Sequence, residues 1–228
     1  MQVYECKVRV KMQETVLMQN CMTVITYFID SSLCLDKQMS RLHNVNKFKY
    51  YAHDSFYPVE KDGLYKNGDV YTFRVRTVDA DLFRFFSSNL AFHKTRELQG
   101  IGMEIQLLSP KWISELYSIS PIIIKTDKGY WRNVITYNDF QQRIKSNLCK
   151  KYNQFTGDKI DETFALYDVL EFKNRQPIKI HYKSICLLGD KLHLQIASNP
   201  TAQKLARFAL GVGLCEMNAE GYGFVNFK

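Results

Sequence analysis

Val3, Val8 and Val10 alternate with Lys7, Arg9 and Lys11, the two-residue period of a half-buried strand. From Thr15 to Met39 the period changes. Leu17, Cys21, Val24, Ile25, Phe28 and Leu35 recur at helical spacing, which predicts one long helix that ends before Asn44. Phe48 to Tyr57 is rich in aromatic residues and reads as a strand. The pairs Asp62-Gly63 and Asn67-Gly68 are turn signals. Val70 to Arg76 alternates almost strictly. Asp79 then opens a helix with Leu82, Phe85, Phe86 and Leu90 on one side, and Gly100 to Leu108 forms the next strand.

The same order recurs in the second half. Pro121 to Lys125 predicts a short apolar strand. Tyr137, Phe140, Ile144, Leu148, Tyr152 and Phe155 mark a helical face. Leu170 to Phe172, Ile178 to Leu188 and Lys191 to Ala197 read as strands, with Gly189-Asp190 as a hairpin turn between the last two. Asn199 and Pro200 are an N-cap and N1 pair for a helix through Ala202, Leu205, Ala206 and Ala209, and Tyr222 to Phe227 forms a final strand. Two β-α-β-β-α-β units in tandem predict an α+β protein of two ferredoxin-like domains, residues 1–114 and 115–228, with a short linker around Ser109 to Ser120. The second unit carries at least one additional strand. Such units leave one sheet face bare, and a bare sheet or the cleft between two of them suits single-stranded RNA.

Composition narrows the partner. The chain has 228 residues, of which 46% are hydrophobic and 24% charged, the balance of a globular protein. Its net charge of +8 is spread over both halves, and aromatic residues make up 14%. A basic surface with abundant rings fits a polyanion whose bases can stack. The N-terminus alternates instead of forming a signal-peptide core, and there is no run of 18 apolar residues. These features predict a cytoplasmic protein with no membrane association. The six cysteines contain no CxxC pair; Cys21 and Cys34 read as buried thiols in a reducing compartment. No histidine-acid cluster has metal-ligand spacing, so neither a metal nor any other cofactor is expected.

The strongest local signal is Gly211-Val-Gly213-Leu-Cys-Glu-Met-Asn-Ala-Glu-Gly221-Tyr-Gly223-Phe, two Gly-x-Gly pairs after a helix and before the last strand. It does not open a helix, as a Rossmann fingerprint would, and no Gly-Lys-Ser/Thr follows, as a P-loop would require. The backbones of Gly211, Gly213, Gly221 and Gly223 are candidate phosphate contacts. Glu216 and Glu220 would repel phosphate, which favours a structural loop with RNA held elsewhere.

This segment resembles the glycine-rich C-terminal signature of the CRISPR repeat-RNA-processing endoribonucleases, within the repeat-associated mysterious protein superfamily. Residues 42–51 (LHNVNKFKYY), 173–180 (KNRQPIKI) and 202–206 (AQKLA) are similar to the same family, as are the length and the tandem domains. The resemblance departs where this chain has Cys215 for a further glycine and Glu220 for a basic residue. It implies a metal-independent endoribonuclease that cuts CRISPR precursor RNA within its repeats, leaving a 2′,3′-cyclic phosphate and a 5′-hydroxyl. A non-catalytic RNA-binding subunit of a CRISPR effector complex is the alternative. Effector-complex subunits and a second copy of the chain are further candidate partners.

Among the five histidines, His43 stands out because Arg41, Lys47 and Lys49 lie within six residues of it. An imidazole suits proton transfer and a lysine suits the charge of a phosphorane-like transition state. The resemblance assigns proton transfer to His43, positioning or proton transfer to Tyr27, and charge stabilisation to Lys49, with Lys47 as the alternative lysine. His53, beside Asp54, is the second-choice histidine, although strand neighbours point to opposite faces. Candidate RNA contacts are Arg41 and Lys47, and the strand set Lys173, Arg175, Lys179 and Lys183, in which Lys179 and Lys183 would share a sheet face. Arg143, Lys145, Lys150 and Lys151 form a second basic stretch on a helix.

Overall fold

The computed structural model describes residues 1–45, 47–182 and 185–228; the side chains of residues 42–44 are outside that description. The first half runs β1 (Val3–Met12), β2 (Val16–Leu17), a 3-10 turn, α1 (Cys21–Leu33), α2 (Lys37–Asn44), β3 (Tyr51–His53), β4 (Leu64–Tyr65), β5 (Val70–Thr77), α3 (Ala80–Asn89) and β6 (Leu98–Leu108). Its main sheet has the order β3-β5-β1-β6 with antiparallel neighbours, and β2 pairs with β4 in a separate ribbon. Strand alternation sorts β1 into two faces. Cys6, Val8, Val10 and Met12 share a core with Ile25 and Phe28 of α1 and Leu82 and Phe86 of α3.

The second half continues with β7 (Glu115–Ser118), α4 (Tyr137–Thr156), β8 (Tyr167–Phe172), β9 (Ile178–Tyr182), β10 (Ile185–Gly189), β11 (Leu192–Ile196), α5 (Pro200–Val212) and β12 (Val225–Phe227). Its four-stranded sheet has the order β12-β7-β11-β8. Both sheets therefore show the ferredoxin-like arrangement, in which each unit's fourth strand joins its first and the third separates first from second. The added element is the β9–β10 hairpin, inserted between β8 and β11. Helix starts follow capping chemistry. The Asp79 carboxylate accepts from the amides of Asp81 and Leu82, Thr136 and Asp139 form a capping box, and Asn199 caps the Ala202 amide ahead of Pro200.

Several expected elements differ. The long first helix is two helices, because the Asp36 carboxylate accepts from the amides of Gln38 and Met39 at 2.8 and 2.9 Å and starts α2 afresh. Helix α2 runs through Asn44, so His43 lies in its last turn. The Phe48–Tyr57 strand shrinks to the three residues of β3, since Tyr50 adopts a positive φ of 55° and Tyr57 makes only an isolated bridge to Thr72. Pro121–Lys125 is not a strand; Ile122 and Ile123 make single bridges to Asp190 and Glu216. The first strand of the second unit is instead β7, inside the stretch expected as linker, where four residues are too few to show a period. Gly189-Asp190 is not a hairpin turn. β10 pairs with β9, whereas β11 pairs with β7 and β8, and the buried Asp190 carboxylate accepts from Tyr130, Trp131 and Asn174. Of the two cysteines expected inside, Cys21 is buried and Cys34 is exposed.

The halves are locked together. Arg76 on β5 pairs with Glu5 on β1 at 2.5 Å, both almost wholly buried. The same guanidinium donates to the Val225 carbonyl at 2.7 Å and stacks 4.6 Å from the centre of the Phe224 ring. Val3 and Val78 join the core of the second half, and α5 packs on β1 and β5 as well as on β11.

Candidate active site

A cleft of about 470 Å³ lies between the halves. One wall is Thr26 and Asp30 of α1 with residues 47–51; the other is Lys125, Lys151 and the segment from Val212 to Glu220. The segment 47–51 follows directly on the end of α2. The Lys49 ammonium donates to the Val45 carbonyl at 2.7 Å, at the C-terminus of that helix, where unpaired carbonyls and the helix dipole favour a cation. Lys49 is thereby tied to the end of the helix whose last turn contains His43. Partial burial lowers the Lys49 pKa, and the carboxylates of Asp30 and Glu220 oppose that shift.

The remaining predicted residues are placed as follows. Lys47 lines the cleft and is exposed; Arg41 is exposed on α2. Tyr27 is 56% exposed on α1, and its neighbour Thr26, not Tyr27, lines the cleft. Lys173, Arg175 and Lys179 are exposed, Lys173 in an ion pair with Glu171. Lys183 lies outside the described residues, so its pairing with Lys179 does too. Ile180 packs with Met217 and Tyr222 of the glycine segment, which leaves its strand neighbours Lys179 and His181 exposed on the hairpin. Within the helical basic stretch, Arg143 and Lys145 donate to the backbone carbonyls of Lys125, Glu162 and Phe164.

His53 is excluded as a cleft histidine. It has no exposed surface; its Nδ1 lies 2.9 Å from the Asp54 carbonyl and its Nε2 3.1 Å from the Thr26 hydroxyl. A carbonyl only accepts, so the ring carries a proton on Nδ1 towards Asp54, and the Ala219 carbonyl is a further acceptor beside it. Burial pushes its pKa down to about 4, which keeps it neutral near pH 7. The neighbouring Asp54 carboxylate turns away and binds the backbone amide and guanidinium of Arg74, both at 2.6 Å.

The glycine segment is a structural loop, as Glu216 and Glu220 suggested, and its glycines are not the candidate phosphate contacts. All four glycines are buried. Gly211 belongs to α5, and the amides of Gly213, Gly221 and Gly223 donate to the carbonyls of Ala209, Asn218 and Pro121. Those N–H groups are used inside the protein, so they do not face a phosphate. Two residues the sequence reading did not single out for this task hold the loop. Lys151, 3% exposed, donates to the carbonyls of Gly213 and Cys215 at 3.3 and 2.5 Å and to the Asn218 side chain at 2.5 Å. Asn218 in turn donates to the carbonyls of Leu214 and Tyr222. Lys151 is thus a buried clamp and not an RNA contact, and burial lowers its pKa to about 8. The sequence held the signal: Lys151 is three residues after Leu148 and seven after Ile144, on the helix's apolar stripe. Glu216 accepts from the Lys125 amide at 2.7 Å, which binds the loop to the neighbouring segment of the same wall.

Residues 109–227 match the family model described as CRISPR associated protein Cas6, C-terminal. Two curated relatives from Methanocaldococcus jannaschii are similar along most of their length. CRISPR-associated endoribonuclease Cas6 1 is 26% identical over 206 residues, covering 81% of this chain and 76% of the relative. CRISPR-associated endoribonuclease Cas6 2 is 22% identical over 218 residues, covering 86% and 87%. A solved structure titled CRISPR associated protein Cas6 superposes with a TM-score of 0.71 at 19% identity, over 99% of each chain. The matched model spans the second ferredoxin-like unit together with the clamped glycine segment. This chain belongs to the Cas6 family of CRISPR-associated proteins.

Proposed function

We propose that the protein is an endoribonuclease that cuts CRISPR precursor RNA within its repeats without a metal ion. The RNA supplies its own nucleophile. The ribose 2′-oxygen attacks the adjacent phosphorus, the bond from phosphorus to the 5′-oxygen breaks, and a 2′,3′-cyclic phosphate and a 5′-hydroxyl result. The 2′-hydroxyl loses a proton to a base, and the departing 5′-oxygen takes one from an acid. His43 serves this proton transfer as base or acid, the chemistry to which an imidazole is suited. The Lys49 ammonium stabilises the charge that builds on the phosphate oxygens, and Tyr27, exposed on α1, positions the RNA.

The observation that carries this reading is the hydrogen bond of Lys49 to Val45, which anchors the ammonium in the cleft wall beside the helix end that bears His43. Partial burial strengthens its field on a phosphate, because less water screens it. Repeat RNA reaches the cleft over Arg41 and Lys47, with Lys173, Arg175 and Lys179 as further phosphate contacts. The test is cleavage of the repeat RNA encoded by the source genome, in EDTA, by the parent and by His43→Ala and Lys49→Ala. Losses of about 100-fold or more for each variant are expected. Unchanged cleavage by His43→Ala would refute the assignment.

A further inference from the structure

Strand β6 ends one side of the first sheet, and most of its outer edge carries no partner. At its start the chain folds back on it: the Gly100 amide donates to the His93 carbonyl and the Thr95 amide to the Leu98 carbonyl, both at 2.8 Å. From residue 101 to 108 all backbone pairing among the described residues is to β1, on the inner side. Glu104, Ile105, Gln106 and Leu107 are exposed in succession, so neither sheet face is covered there. Such an edge offers a row of N–H and C=O groups to another strand.

One side of this edge is apolar. Met103, Ile105 and Leu107 lie opposite Val8, Cys6 and Tyr4 of β1 and share their face. Ile105 is 51% exposed and Leu107 53%, and the Tyr4 ring beside Leu107 stacks on Phe83 of α3 with centroids 4.3 Å apart. Together they form an apolar ledge along α3. The other side carries Gly102, Glu104 and Gln106, with Glu104 paired to Lys7 at 3.4 Å. Lysine and proline, which commonly guard an open edge, are absent from β6.

We infer that β6 is a self-association surface: β6 of a second copy pairs with it antiparallel about a two-fold axis through Ile105, and the two sheets become one. The occupant is a second copy because the pattern is self-complementary. With the axis at Ile105, that residue meets its own counterpart, Met103 meets Leu107, Glu104 meets Gln106, and Gly102, which has open space where a side chain would stand, meets Leu108. A one-residue slip would set apolar side chains against polar ones. An axis at Glu104 would oppose two carboxylates, and one at Met103 would run into the irregularity at Ile101, which has no partner on β1. A net charge of +8 disfavours contact between copies over most of the surface, whereas this edge bears a single charge, Glu104, already faced by Lys7. Pairing like with like closes a dimer; pairing β6 with a different edge, such as β8, would leave edges free and continue into a filament. The inference does not depend on RNA cleavage.

The experiment measures the mass of the full chain in solution by sedimentation at micromolar concentrations. The parent is expected to be a dimer. Ile105→Lys places two ammonium groups at the axis and should weaken the dimer about tenfold or more, with an unchanged unfolding midpoint because the side chain is half exposed. Register is read by disulfide trapping in a background of Cys34→Ser and Cys186→Ser, which removes the exposed thiols. Ile105→Cys should give a covalent dimer on oxidation, since the two sulfurs face each other. Leu107→Cys, opposite Met103 and far from its own counterpart, should give none. Should Ile105→Lys fail to fold, the trapping pair decides. A monomeric parent, a dimer that Ile105→Lys leaves intact, or trapping by Leu107→Cys in place of Ile105→Cys would each overturn the inference. A monomer whose β6 amides gain exchange protection only with added RNA would assign the edge to RNA and overturn it too.

Discussion

Gly221 is pressed against the ring of His53: a Cβ built on Gly221 would lie 2.6 Å from His53 Cε1 and 2.6 Å from Met22 Sδ, at a φ of +89°. The glycine segment of the second half thus closes over a buried imidazole of the first. Gly221→Ala would strain the backbone and collide with both neighbours, and a loss of about 2 kcal/mol or more is expected in urea unfolding. A variant as stable as the parent would show that the loop does not rest on His53.

The same imidazole makes stability depend on acid. His53 has a pKa of about 4 in the folded protein and about 6.5 when free in the unfolded chain, so the unfolded state binds more protons between those values. Its neutral form is fully compatible with folding above about pH 6.5. As pH falls from there towards 4 the unfolded chain gains protons first, and on the order of 3 kcal/mol of stability is lost. His53→Gln should flatten that part of the stability profile. The check is chemical denaturation of both proteins at intervals from pH 7 to 4.

Removing the clamp under the loop should be costly. Lys151→Met deletes the donor to Gly213, Cys215 and Asn218 and leaves three buried acceptors without it. A cost of about 3 kcal/mol is expected, with faster amide exchange across residues 213–223. Exchange unchanged in that segment would contradict the clamp.

The lock between the halves gives a parallel test. Arg76→Met leaves the Glu5 carboxylate buried without its partner and should destabilise by about 3–5 kcal/mol. Replacing both residues with apolar ones should recover much of that loss, which a double-mutant cycle would measure.

The architecture was legible because hydrophobic alternation and capping residues survive in the sequence: β1, β5, α4 and the Asp79 and Asn199 starts all lie where period and chemistry put them. Elements too short to show a period were not. β7 has four residues and β3 has three, and their strand state is imposed by pairing with β11 and β5. The break at Asp36 was hidden because Leu35 continues the helical spacing through it, although Leu35 is 78% exposed. At the site, the composition around His43 pointed to a cationic neighbourhood, and Lys47 and Lys49 do line the cleft. The task of the glycines was legible only in part: Glu216 and Glu220 favoured a structural loop, but a Gly-x-Gly pair looks the same whether its amides bind a phosphate or a neighbouring carbonyl. Only the Lys151–Asn218 network separates the two.

The central claim is that a histidine in the last turn of α2 and the lysine tied to that helix end cleave RNA through its own 2′-hydroxyl. The most direct measurement is end-group analysis of repeat RNA after incubation with the parent and with His43→Ala in EDTA. The parent should yield 2′,3′-cyclic phosphate and 5′-hydroxyl ends, and His43→Ala should yield almost none. Product that needs an added divalent ion, or equal cleavage by the two proteins, would contradict the claim.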